Sequence, residues 1–327
     1  LKNVVFILNI FSVSILFAQE PYKRTLKLMG SRFEITVVGK DQVEANEYID
    51  LAISEIRRIE KLISSWDPNS QTSLINKNAG IQPVQVDAEL FGLIQRGIGI
   101  SKLTDGAFDI SYASMDNIWK FDGSMNNIPS DDSIKASVAK VGYHNIILDK
   151  ENHTVFLKLE GMKIGFGAIG KGYAADKAKE LLMSKGVVAG IINASGDMNT
   201  WGKQTNGKDW QVAITNPMDK NKVFALLPVH NGAVVTSGNY EKYVTFNNTR
   251  YTHIIDPRSG YPATGIVSVT VFAPKAELAD ALATSVFVMG KDVGLNRIEQ
   301  LPKVECVIID GEGNIITSKN IQINKEE

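Results

Sequence analysis

The residues best suited to chemistry gather in one glycine-rich turn, Lys163-Ile164-Gly165-Phe166-Gly167-Ala168-Ile169-Gly170-Lys171-Gly172-Tyr173. It satisfies GxGxxG and GxxxxGK at once. A dinucleotide fold would need an acidic residue about 20 positions on, at the end of the next strand, to hold a ribose. The run Ile191-Ile192-Asn193 ends without one, and the first carboxylate is Asp197. A P-loop would need Ser or Thr after the lysine to place a hydroxyl on Mg²⁺, and Gly172 stands there instead. Neither pattern is complete, yet their shared physics survives. Glycines let backbone N–H groups approach an anion, the following helix offers its positive end, and Lys171 adds a full charge. A phosphate is the natural ligand, and a purely structural tight turn is the alternative.

A pyrophosphate bound there would need metal ligands from elsewhere. Glu277 to Ser285 reads as a helix on which Asp280 and Thr284, four apart, share a face. A carboxylate and a hydroxyl are hard oxygen ligands suited to Mg²⁺. By itself an Asp in a first helical turn is more often merely solvated, so the pair gains meaning only beside the glycine turn. Thr252-His253-Ile254-Ile255-Asp256-Pro257-Arg258-Ser259-Gly260 ends a strand in a polar turn. His253, with Asp256 and Arg258, could polarise a nucleophile or clamp phosphate, although Asp256 to Gly260 also reads as a simple β-turn. His144, His153 and His230 show no paired-ligand spacing, which argues against zinc. Gly106-Ala107-Phe108-Asp109 and Asn193-Ala194-Ser195-Gly196-Asp197 are two further Gly/Asp turns, and Trp66 and Phe108 could sandwich a planar ring.

Helices and strands must hold these turns. Ile49, Ala52, Ile53, Ile56, Ile59 and Ile63 keep helical spacing, which predicts an amphipathic helix over 43–65. Further helices are expected over 87–103, from Ser130 to Gly142, over 172–185 and over 277–289. β-Branched runs predict strands at 33–38, 146–148, 155–159, 187–192, 210–214, 223–229, 233–236, 251–255, 266–272 and 304–309. Many strands in series point to an α+β fold, a largely antiparallel sheet packed with helices.

Composition narrows the class. With 327 residues, 44% hydrophobic and 22% charged, the chain is too apolar for disorder and too polar for a multi-span membrane protein. Its 35 Lys+Arg against 36 Asp+Glu leave no basic excess for nucleic acid. The single Cys306 can form neither an internal disulfide nor a CxxC site and reads as a buried strand residue. Lys2, an apolar stretch from Val4 to Phe17 and then Ala18-Gln19-Glu20-Pro21 describe a secretory signal peptide, residues 1–18, with an uncleaved inner-membrane anchor as the alternative. The apolar run is short of the about 20 residues a spanning helix needs. Residues 19–327 are then expected to form a single domain working outside the cytoplasm.

Taken in order, several segments resemble the FAD:protein FMN transferases of the ApbE family. They are Met29-Gly30-Ser31, Ser65-Trp66-Asp67, Ser73-Leu74-Ile75-Asn76, Gly106-Ala107-Phe108-Asp109, Gly167 to Asp176, Asn193 to Asp197, Thr236-Ser237-Gly238, His253 to Gly260 and Ala279 to Thr284. The resemblance implies the family's own α/β architecture. It implies an exported enzyme, periplasmic or facing the periplasm from the membrane, that splits FAD, releases AMP and attaches FMN to a Thr or Ser of a target such as a redox-pump subunit. It further implies Mg²⁺ held by Asp280, Thr284 and the backbone carbonyl of Ala168. Lys171 would bind the flavin nucleotide, Met29, Trp66, Ala107, Phe108 and Asp109 would line its site, and His253 would contact it and assist the acceptor hydroxyl. Lys171, Asp280 and His253 form the implied catalytic set. Two positions depart from the family pattern: Ser195 where many members have Gly, and Ala283 where some have a second Asp. A Mg²⁺-dependent FAD pyrophosphatase and a non-catalytic exported flavin-binding protein are the alternatives.

Overall fold

The computed structural model describes residues 20–215, 223–240, 242–247 and 249–321. The expected signal segment, residues 1–18, lies outside them. The chain opens with the hairpin β1 (Glu20–Leu28) and β2 (Ser31–Gly39), then α1 (Gln42–Ile63) and α2 (Gln71–Lys77). A small antiparallel sheet of β3 (Val84–Gln85), β4 (Ile146–Asp149) and β5 (Thr154–Leu157) brackets α3 (Ala88–Leu103) and α4 (Asp131–Ser137). Next come α5 (Gly170–Ser184), β6 (Gly190–Ala194), β7 (Asp197–Trp201), the paired β8 (Trp210–Thr215) and β9 (Val223–Val229), and β10 (Gly232–Gly238). The hairpin β11 (Tyr243–Phe246) and β12 (Thr249–Thr252) stands apart as its own two-stranded sheet. The chain closes with β13 (Ile266–Ala273), α6 (Ala276–Met289), α7 (Lys291–Glu299), β14 (Glu305–Asp310) and β15 (Ile315–Thr317).

Among the described residues the main sheet has eight strands in the order β1-β2-β6-β7-β10-β13-β14-β15, every pair antiparallel. The α+β architecture expected from the strand series is present. Helices α1, α5, α6 and α7 pack in succession, each on its neighbour and on successive strands. Ala45, Ile49, Ala52, Ile53, Ile56, Ile59 and Ile63 of α1 are buried in the common core. Full burial of an Ile contributes roughly 1.5–3 kcal/mol, so this stripe fixes the helix far more firmly than its propensity does. Its start is set by Asp41, whose carboxylate accepts the Glu44 N–H at 2.9 Å. Cys306 is buried on β14, where loss of solvation pushes its thiol up to about 12.

Differences from expectation are local. The helix expected from Ser130 to Gly142 ends at Ser137, the strand expected over 187–192 runs 190–194, and that over 251–255 runs 249–252. Strands β1, β7, β11 and β15 and helices α2 and α7 carry no strong pattern in the sequence. β1 is an edge strand and largely solvent-facing, so Tyr22-Lys23-Arg24-Thr25 offers no β-branched run to recognise.

Candidate functional site

The glycine turn precedes α5 and is fastened from two sides. Asn76 on α2 holds Ile164 by both backbone groups, accepting its N–H at 2.8 Å and donating to its carbonyl at 3.0 Å. The 110–114 segment does the rest: Ser114 Oγ bridges the Lys163 N–H and carbonyl, and Gly165 N–H reaches the Ile110 carbonyl at 2.8 Å. Gly167 N–H donates to the Tyr112 hydroxyl at 3.2 Å. The turn is therefore preorganised before any ligand arrives. Tyr112 and Asn76 supply this without belonging to the turn, and proximity in sequence gave no sign of it.

Helices α5 and α6 then cross at their first turns. A Cβ on Gly172 would lie 2.2 Å from the Ala276 carbonyl oxygen, far inside contact distance. No Ser or Thr can occupy the position after Lys171, which is why the P-loop hydroxyl is missing. The Gly172 N–H, an orphan donor of the first turn of α5, goes across to the Asp280 carboxylate at 3.2 Å. Asp176 on α5 returns the favour by accepting the Ala276 and Glu277 N–H groups, both at 2.9 Å, and so caps α6. It also accepts from Asn199 at 2.6 Å. Burial raises Asp176 to about 6 in spite of these bonds. Arg96 on α3 adds a 2.6 Å ion pair to Glu277.

These helix ends open onto a cavity of about 490 Å³. Ala107, Phe108, Asp109, Ala168, Lys171, His253, Asp280 and Thr284 all line it. A second cavity, about 760 Å³, holds Met29 and Trp66 and shares Ser31, Tyr112, Gly167 and Lys171 with the first. Phe108 and Trp66 thus face different cavities and do not sandwich one ring. Trp66 is 93% exposed, an aromatic left on the rim, whereas Phe108 is buried.

Charge is arranged with care. Lys171 is ion-paired to Asp197, the buried first residue of β7, which steadies its ammonium at the cavity wall. Asp280 is buried, and that desolvation raises its carboxyl, while the Lys171 charge and the Gly172 N–H pull the other way. A carboxylate so placed gains from a cation. Thr284 Oγ1 is 3.4 Å from the Ser237 hydroxyl. Among the described residues no three His, Cys, Asp or Glu side chains group as metal ligands. Asp280, Thr284 and Ala168 line the same cavity, and a carboxylate, a hydroxyl and a backbone carbonyl would make an all-oxygen set that fits Mg²⁺ and not a soft metal.

The remaining predicted residues have other partners. The Asp109 carboxylate accepts from Ser111 N and Oγ at 2.8 and 2.7 Å and from Tyr143 N at 2.7 Å, and so holds its own loop at the cavity wall. Asp256 forms a two-point pair with Arg258, at 2.9 and 2.8 Å, which closes the turn after His253 and makes the phosphate-clamp reading unnecessary. His253 is exposed beyond the end of β12, and its Nδ1 lies 3.1 Å from the Lys242 carbonyl. A carbonyl can only accept, so Nδ1 carries the proton and Nε2 is the basic nitrogen. At the Ser195-Gly196 hairpin both residues have positive φ, +57° and +100°. A glycine would adopt the first of these conformations without strain; here Ser195 holds it, and its hydroxyl donates to the Arg32 carbonyl at 3.0 Å.

An α+β fold that holds a lysine, a buried carboxylate and a glycine turn against a two-lobed cavity defines a site for a phosphate-bearing ligand. The chain matches the ApbE family over residues 29–308 and belongs to it. It is 31% identical over 299 residues to a FAD:protein FMN transferase of Klebsiella pneumoniae, covering 91% of this chain and 92% of that protein. A FAD:protein FMN transferase of Escherichia coli is 30% identical over 272 residues, 81% of this chain and 78% of that one. The fold superposes on the crystal structure of the ApbE protein of Thermotoga maritima with a TM-score of 0.83 at 32% identity, covering 92% and 97% of the two chains. It also matches the flavin transferase ApbE of Vibrio cholerae in fold, with a TM-score of 0.82 at 23% identity over 92% and 98%.

Proposed function

We propose that this chain is a Mg²⁺-dependent FAD:protein FMN transferase, which joins FMN by a phosphoester bond to a Thr or Ser of an exported or membrane redox protein and releases AMP. The family and its curated relatives support the transfer. The observation that carries the residue assignment is the convergence of Ala168, Lys171, His253, Asp280 and Thr284 on one cavity wall. Mg²⁺ held by Asp280, Thr284 and the Ala168 carbonyl would neutralise pyrophosphate charge. Lys171, steadied by Asp197, binds and orients the phosphates. Backbone N–H groups of the turn add preorganised donors. The acceptor hydroxyl oxygen forms a bond to the FMN phosphorus, its proton passes to His253 Nε2, and the bond from that phosphorus to the AMP phosphate oxygen breaks.

The exposure of His253 supports a protein acceptor, because the base lies where a second chain can bring its hydroxyl. We place the mature domain at residues 19–327, delivered outside the cytoplasm by the first 18 residues; among the described residues no helix is long and apolar enough to cross a membrane. The test is to incubate the mature chain with FAD, Mg²⁺ and a Thr-containing acceptor, following acceptor mass and AMP. FMN added to the acceptor with matching AMP is the expected result. AMP without flavinylated acceptor would make it a pyrophosphatase, and intact bound FAD a carrier.

A further inference from the structure

Tyr112 is a cavity residue whose hydrogen bonding is half used and whose place no motif explains. Its ring lies in the wall common to both cavities, beside Gly167 and Lys171. Its oxygen accepts the Gly167 N–H at 3.2 Å. A Cβ on Gly167 would come within 2.3 Å of that oxygen, so the glycine exists here to let the phenol approach the turn. Because the oxygen is the acceptor in this bond, the phenol hydrogen points elsewhere, and among the described residues no protein group accepts it. Burial and the charge of Asp280 both hold the phenol above its ordinary range, so the proton stays on.

The two cavities differ in chemistry. The second is walled by Met29, Ile63, Trp66 and Phe166, suited to a planar ring, while the first carries Asp280 and Thr284, and Lys171 stands in both. A ligand with rings at both ends and phosphates between them must cross the shared wall with its phosphates beside Lys171. From this geometry we propose that the Tyr112 hydroxyl donates a hydrogen bond to a phosphate oxygen of the bound flavin nucleotide at the junction of the two cavities. This rests on the FAD reading above and extends it: the amide of Gly167 turns the phenol into a directed donor, so the glycine turn acts on the phosphate through a side chain as well as through its own backbone.

The test is Tyr112→Phe, which removes one oxygen and keeps the ring. Binding of riboflavin, FMN and FAD is measured through flavin fluorescence for the wild type and the variant, alongside their melting temperatures. A hydrogen bond to a charged phosphate predicts about tenfold or greater loss of FMN and FAD affinity. Riboflavin, which has no phosphate, should bind both proteins alike. Equal loss for all three flavins, or no loss for any, would overturn the inference, the first by showing that Tyr112 merely shapes the turn. Failure of the wild type to bind any of the three would instead overturn the FAD reading, and this inference with it.

Discussion

The site has a helical half and a strand-and-loop half, and they are built to different standards. Lys171, Asp280 and Thr284 sit on α5 and α6, whose first turns touch backbone to backbone and are locked by Asp176, Asn199 and the Arg96–Glu277 pair. His253 lies beyond the small β11–β12 sheet, solvent-exposed, with its Nδ1 on the Lys242 carbonyl. The contrast suits the two reactants of the proposed transfer, with His253 as the proposed base. A small dianion is gripped best by groups that cannot reorganise, whereas a protein acceptor has to reach its base from solvent.

The largest expected effect lies in the helical half. Asp280→Ala leaves the Gly172 N–H without its acceptor and removes the carboxylate of the proposed Mg²⁺ site, so FMN transfer should fall by at least about a thousandfold. Measured at saturating FAD and Mg²⁺ with the melting curve recorded in parallel, activity within a few-fold of wild type would remove Asp280 from the site. His253→Ala tests the other half. It should lower transfer by about 10²–10⁴, the usual contribution of a general base, and most of the loss should fall on kcat. A loss confined to FAD affinity would show that His253 holds the nucleotide and does not handle the proton.

The crossing itself can be broken. Gly172→Ala places a methyl against the Ala276 backbone, where no rotamer change gives relief, and should cost about 3 kcal/mol or more. Because the strain sits where Asp280 is oriented, transfer should fall further than the melting temperature alone explains. A variant as stable and active as wild type would mean that α5 and α6 are free to separate.

Much of this is legible in the sequence. The isoleucine stripe of α1 and the i, i+4 pair Asp280–Thr284 are periodic signals, and periodicity is what a sequence displays. The glycine turn was visible as well, but its meaning was not: Gly172 looked like a defect in a P-loop and is in fact required by a helix 104 residues away in the chain, at Ala276. The roles of Asn76, Tyr112 and Asp176 are not legible in the sequence, because each acts by hydrogen bonds on a segment far away in the chain. The separation of Trp66 from Phe108 into two cavities likewise depends on tertiary placement that spacing does not encode.

Asp176 offers the finest probe of how the helical half is held. Its carboxyl is raised to about 6 by burial, against an unfolded value of about 4, so the native state binds this proton more tightly than the unfolded chain does. Below about pH 4 both states are protonated and no penalty arises. As the pH rises from about 4 to about 6 the unfolded chain ionises more readily than the folded protein, which must carry a buried charge, and stability falls across that window by on the order of 3 kcal/mol. Asp176→Asn has no proton to lose. The melting temperature of the wild type minus that of the variant should therefore decrease from pH 4 to pH 7. A difference that stays level would mean that the caps at Ala276 and Glu277 fully compensate the buried charge; one that grows would mean that they overcompensate, and that the α5–α6 lock tightens when Asp176 ionises.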